Sequence, residues 1–278
     1  MSIASIDRLA TVHIVHPLRR PTAGASGRIP ILMYHSISDD AENGSNSYYL
    51  TSTSARVFAE QMQFLHSSGY QAVSLDQAFG LSHSMQRAKM PVVITFDDGY
   101  KNFYTTAYPV LRQYDFTATV FLPTSYIGPN AGYFKGKPCL SWQEIHELHR
   151  ARIRFGSHTV THPQLRSVSN HQRVDEIQRS KDILEQELGD AVNSFCYPFA
   201  FPEHDQSFCR RLRLELTQAG YEYGVTTIVG VAESEDDKLF LRRLPISSRD
   251  DVPFLAAKLA GAYDWFHKVQ LLTKVLRG

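Results

Sequence analysis

Three features of the sequence predict an α/β fold built on a parallel sheet. Short apolar runs rich in β-branched and aromatic residues alternate with longer amphipathic stretches from Ile29 onward. The alternation continues through about seven β/α units with no break in composition, which favours a single distorted (β/α) barrel of parallel strands over two lobes. Polar, chemistry-bearing residues recur just after the apolar runs, where the loops of a parallel sheet gather on one face. The 278 residues, 43% of them hydrophobic, supply a core for one large domain.

Taken in order, residues 1–28 read as an N-terminal arm, closed by the small-residue linker Pro21-Thr22-Ala23-Gly24-Ala25-Ser26-Gly27, with the folded domain over 29–278. Strands are predicted at Ile29 to Tyr34, Tyr70 to Ser74, Val92 to Phe96, Thr117 to Leu122, Ile153 to Gly156, Ser194 to Tyr197 and Tyr221 to Thr226. Between them, Ser54 to His66 places Val57, Met62 and Leu65 on one helical face behind a Ser/Thr cluster that can cap it. Asn102 to Tyr114, Ser141 to Arg150, His171 to Leu188 and Gln206 to Ala219 are the further helices, with Gly189 and Gly220 at expected C-caps. Phe254 to Leu276 reads as one amphipathic run that packs on the barrel, with peripheral membrane contact as its second use.

Composition narrows the function. Basic and acidic side chains number 29 and 28, a net charge of +1, so no field of one sign gathers nucleic acid, and an uncharged or zwitterionic substrate fits better. Cys139, Cys196 and Cys209 form no CxxC pair, which argues against a disulfide framework or a thiolate zinc site. Asp7, Arg8, His13, His16, Arg19 and Arg20 interrupt each early apolar run, so no secretory signal is legible and no transmembrane segment is expected. The expected location is cytoplasmic, with the inner face of the membrane as the alternative.

The chemistry concentrates in Thr95-Phe96-Asp97-Asp98-Gly99-Tyr100, where an apolar run delivers adjacent carboxylates to a glycine turn. Adjacent carboxylates repel, and both stay ionised at a strand end only if a cation, a proton or an arginine compensates. One aspartate is explained by capping the following helix; two call for more. Downstream, His158-Thr159-Val160-Thr161-His162 presents paired imidazoles from a loop between Gly156-Ser157 and Pro163. Together the segments read as a hydrolytic metal centre, one carboxylate binding the ion and its neighbour taking a proton from water. His35 ends the first strand on the same rim, and its ordinary pKa of about 6.5 suits proton transfer.

These two segments resemble the first two motifs of the polysaccharide deacetylase family, carbohydrate esterase family four. Leu32-Met33-Tyr34-His35-Ser36-Ile37 resembles the N-terminal signature of the branch that deacetylates poly-N-acetylglucosamine. The likeness extends from Ile29 to the region of Trp265. By position, it implies Asp97 as general base, His35 as general acid, and Asp98, His158 and His162 as ligands of one divalent ion. Zinc is the expected ion, and cobalt, nickel, manganese or iron also suit this donor set.

The family's third motif, arginine, any residue, proline, an aromatic and glycine, is met here by Cys196-Tyr197-Pro198-Phe199-Ala200, without the arginine or the glycine. In the family that arginine orients the base. Another basic group must take its place, and Arg243, with Arg242 as the alternative, follows a strand-like Leu239 to Leu241. The backbone N–H of Phe199 is implied to stabilise the oxyanion, with Tyr197 and Pro198 beside it on the substrate side. Tyr48, Tyr49, Tyr126, Tyr133, Phe134 and Phe201 are candidate sugar-stacking aromatics, and Pro123 to Pro138 is long enough to cover a substrate.

The resemblance thus implies a metal-dependent hydrolase that removes N-acetyl groups from an amino-sugar glycan or glycan precursor. The missing arginine keeps a carbohydrate-binding pseudoenzyme open, and the shared core motifs keep open an amide hydrolase acting on a small non-glycan substrate. No G-x-S-x-G stretch supports a serine hydrolase.

Overall fold

A computed structural model describes residues 3–18, 27–40, 51–80, 90–130 and 132–277. Tyr48, Tyr49 and the linker residues 21–26 lie outside them. One sheet contains eight strands: β1 (Ile31–Tyr34), β2 (Tyr70–Ala72), β3 (Met90–Phe96), β4 (Thr119–Leu122), β5 (Arg154–Ser157), β6 (Ser194–Cys196), β7 (Tyr223–Val229) and β8 (Leu241–Pro245). Seven of them close into a parallel barrel in the order β1-β8-β7-β6-β5-β4-β3, and β3 pairs back onto β1.

Two expectations about the strands need correction. Tyr70 to Ser74 was expected as a barrel stave, but β2 pairs only with Met90–Val92 at the start of β3, while β4 pairs with Thr95 and Phe96 further along. Its place in the ring goes to β8, which contains Arg242 and Arg243 rather than ending before them. A charged doublet disguises that strand because one of its arginines is wholly buried.

The period of two along each strand sorts side chains between barrel interior and helix-facing exterior. Val93 lies in an interior cluster with Phe121, Cys196, Val225 and Leu241, whereas Val92, Ile94 and Phe96 pack in the outer cluster with Phe58, Met62 and Leu65. Thr95 and Asp97 continue the inward row of Val93, and Arg243 continues that of Leu241. The barrel interior therefore changes from apolar to ionic towards the C-terminal ends of β3 and β8. Gly156 leaves room for this packing, since a Cβ there would meet the Phe121 ring at 2.5 Å.

Helix boundaries follow local chemistry. Ser141 with Glu144, and Ser169 with Gln172, form capping boxes at the starts of Trp142–Arg150 and Asn170–Leu188. The latter helix ends on Gly189 at φ 69°. The C-terminal amphipathic run is two helices, Val252–Leu259 and Phe266–Arg277, separated at a turn where Gly261 has φ 74°. Gln270 packs the second onto β7 by donating to Thr227 O and accepting from Val229 N. Residues 3–18 are helical and docked: Tyr263 donates to Asp7 at 2.7 Å and Trp265 to Thr11 at 3.1 Å. Among the described residues, no helix is long and apolar enough to cross a membrane.

Candidate metal centre

At the end of β3 the backbone turns sharply. Asp97 N still donates to Tyr34 O in the ladder, but Asp98 and Gly99 adopt φ 70° and 60°. A Cβ on Gly99 would lie 2.7 Å from Leu122 Cδ2, so glycine is required there for space as well as conformation. This reversal sends the two carboxylates into different surroundings.

Asp98 faces the histidines. Its Oδ1 lies 3.5 Å from His158 Nε2 and 3.4 Å from His162 Nε2. The donor atoms of the three residues lie within 4.8 Å of one another, and all three residues are buried. His158 Nδ1 is 2.8 Å from Cys196 O; a carbonyl only accepts, so Nδ1 carries the proton and Nε2 is left to bind a cation. Two imidazole nitrogens and a carboxylate oxygen suit zinc with open coordination positions. Burial together with nearby His158 lowers the His162 pKa to about 3, so this ring is neutral and ready to ligate. Burial also opposes charge on His158, but Cys196, the Asp98 carboxylate and Asp97 together outweigh it and raise the pKa, so cation binding there releases a proton.

The histidine loop is held in an uncommon backbone path, with Thr159 and His162 at φ 68° and 57°. Glu176, from helix Asn170–Leu188, accepts from Val160 N and Thr161 N at 2.8 Å each and from Thr161 Oγ1 at 2.6 Å. Thr159 Oγ1 accepts from His162 N at 3.0 Å. No sequence spacing identifies Glu176; the following helix brings it to the loop.

Asp97 faces Arg243. The guanidinium donates to its two oxygens at 2.7 and 2.8 Å, and also to Thr226 O, Thr95 Oγ1 and Cys196 Sγ. These partners satisfy every N–H of the arginine head, as a fully buried guanidinium requires. Burial pulls the Asp97 pKa up, but the charge and hydrogen bonds of Arg243 prevail and hold it at about 2. Cys196, at the position of the family's motif arginine, thus touches the guanidinium that reaches Asp97 from β8. Arg242 points elsewhere, 3.7 Å from Asp236. His35 Nε2 stands 3.8 Å from Asp97 Oδ2, and burial lowers its pKa below 6.5.

Asp97, His158 and Cys196 also have ligand atoms within 4.8 Å. A cation there would have to displace Arg243 and ionise a thiol whose pKa burial has raised. The Asp98 group is therefore the better cation site.

The third-motif turn borders the site. Phe199, at φ 60° and 48% exposed, sets its ring 4.7 Å from that of His162. Thr227 Oγ1 fixes the turn by donating to Phe199 O and accepting from Phe201 N. Pro198 is buried, and Tyr197 turns its ring into the core against Phe201 and Phe208 while its N–H donates to Val225 O, so neither side chain is exposed on the substrate side. Phe201 and Phe134 are buried and Tyr126 is half-buried, so among the described sugar-stacking candidates Tyr133 is the exposed one, and the Phe199 ring is exposed beside the site.

Residues 84–224 match the family model described as polysaccharide deacetylase. YxkH of Bacillus subtilis (strain 168), named as a polysaccharide deacetylase, is 30% identical over 85% of this chain and 76% of its own length. The chain belongs to the polysaccharide deacetylase family. The poly-beta-1,6-N-acetyl-D-glucosamine N-deacetylase of Staphylococcus aureus (strain MSSA476) is 23% identical over 78% of this chain and 73% of its own. The barrel superposes on the Streptococcus pyogenes deacetylase PplD, solved in complex with acetate, with a TM-score of 0.71 at 28% identity, covering 84% of this chain and 98% of that one. The family model's span contains the carboxylate pair and the histidines but neither His35 nor Arg243.

Proposed function

We propose that this family member is a metal-dependent hydrolase that removes N-acetyl groups from an amino-sugar glycan. The carrying observation is the division between neighbouring carboxylates: Asp98 faces two imidazoles, while Asp97 is held ionised by a buried arginine. Asp98, His158 and His162 would hold the ion, which when bound supplies Lewis acidity towards the acetyl carbonyl and water.

Asp97 takes the proton of the attacking water as general base. His35, with its pKa lowered by burial, is mostly neutral near pH 7. Its position 3.8 Å from Asp97 Oδ2 suits passing that proton on to the amine nitrogen as the C–N bond breaks. The backbone N–H of Phe199 stabilises charge on the carbonyl oxygen, and the exposed Phe199 ring offers an apolar face to a sugar. The name of the Staphylococcus aureus relative supports a β-linked N-acetylglucosamine polymer as the substrate class.

The test is acetate release from N-acetylglucosamine oligomers by the zinc-loaded protein. Release that disappears in Asp97→Asn while the metal stays bound is the expected result. Stoichiometric metal with no release would instead favour the sugar-binding alternative, and release only from small non-glycan amides would move the substrate class.

A further inference from the structure

The outer oxygen of Asp98 has partners of its own. Tyr100 Oη donates to Oδ2 at 3.0 Å, and Lys135 Nζ lies 3.4 Å from the same atom. The ammonium sits over the Phe134 ring at 4.6 Å and the Phe199 ring at 5.7 Å. Lys135 and Gly136 form the two-residue connection between Tyr133–Phe134 and Lys137–Pro138, with φ 51° and 78°. Positive φ at both central positions normally selects asparagine, aspartate or glycine, so a lysine at the first of them is an outlier.

This hairpin is fastened to the turn that carries Asp98. Lys101 N donates to Pro138 O at 2.8 Å, Leu140 N to Gly99 O at 2.9 Å, and Tyr100 bridges Cys139. Phe134 is buried, with its ring 5.0 Å from that of His162. Hairpin, carboxylate turn and histidine loop are therefore one packed unit, and Lys135 is a fixed part of it.

We infer that Lys135 is a positioning residue that tempers the hold of Asp98 on its metal, drawing on the carboxylate through Oδ2 while Oδ1 serves the ion. The inference rests on the metal-centre reading above. A fixed ammonium beside a ligand carboxylate repels an incoming cation and reduces the negative charge the carboxylate lends it. Binding is weakened, and the bound ion remains a stronger Lewis acid. Tyr100, being neutral, orients the carboxylate without that repulsion. Lys135 is half exposed, so added salt screens its effect.

The experiment is competition for Zn²⁺ between the protein and a chromogenic chelator, read beside steady-state kinetics. Lys135→Met and Lys135→Gln should bind zinc about ten-fold more tightly at low salt, with the gain shrinking as salt is added. Their kcat should fall at unchanged KM, and Lys135→Arg should restore both values. A merely structural lysine would show weaker zinc binding and lower turnover together, which overturns the inference. Unchanged zinc affinity with a raised KM makes Lys135 a substrate contact and overturns it equally. A wild-type protein that binds no zinc, cobalt or manganese removes the metal-centre reading itself, and this inference with it.

Discussion

The surroundings of Asp97 and of Asp98 start from the same residue type, one peptide bond apart, at 3% and 2% exposure. Around Asp97 both oxygens are taken by a guanidinium from β8, and His35 stands beside one of them. Around Asp98 one oxygen faces two imidazoles and the other is held by Tyr100 and Lys135. The difference arises from the φ of 70° at Asp98, which separates the carboxylates, and from the strands and loops that meet each one. Role here is conferred by partners remote in sequence, since residue type and burial are the same on both sides.

Asp97→Asn should break the contrast most sharply. Turnover is expected to fall on the order of 10³-fold, with metal content by elemental analysis unchanged. His158→Ala is its mirror image, losing the metal.

Arg243→Met tests the other half of the Asp97 environment. It strands a buried carboxylate, and denaturant unfolding should register a loss of about 3–5 kcal/mol. The pH dependence has a definite sign. Because the folded-state pKa of Asp97, about 2, lies below its ordinary 3.8, the ion pair contributes fully above the ordinary value and is lost as pH falls through 2. In Arg243→Met burial is unopposed and lifts the Asp97 pKa above its ordinary value, so the stability gap to wild type should begin to narrow as pH falls through that raised value and go on closing until the wild-type ion pair is itself lost in strong acid.

On the Asp98 side, zinc at a hundredfold excess over its Kd should raise the unfolding free energy by about 2.7 kcal/mol. Calorimetry should find no such rise in His158→Ala. The smallest effect is expected from Glu176→Ala, which loosens the histidine loop without touching a ligand. Zinc affinity should drop about ten-fold, and an unchanged affinity would show that the loop holds its path unaided.

Much of this was legible in the sequence, for identifiable reasons. The carboxylate pair and the histidines lie in short contiguous segments, each at a strand end, so their types and spacing carry the signal. The alternation of apolar runs gave the barrel. What escaped was the identity of one stave, because Arg242-Arg243 breaks the apolar pattern of β8 and a fully buried arginine looks like a surface one until its carboxylate is found. The break near Gly261 in the C-terminal run escaped because Leu255, Leu259, Phe266, Val269 and Leu272 keep a helical rhythm across it. Glu176, Thr227, Tyr100 and Lys135 act through contacts that only tertiary packing creates.

The placement of Arg243 on the last stave has a consequence for biosynthesis. A nascent chain leaving the ribosome carries Asp97 early but gains its guanidinium partner 146 residues later. Until that stave docks between β1 and β7 the barrel is open and Asp97 has no guanidinium partner, so its two-oxygen ion pair forms only after the final stave has been translated. A fragment ending at residue 224, where the family model's match stops, would hold Asp97, Asp98, His158 and His162 but lack the guanidinium that Asp97 meets in the closed barrel.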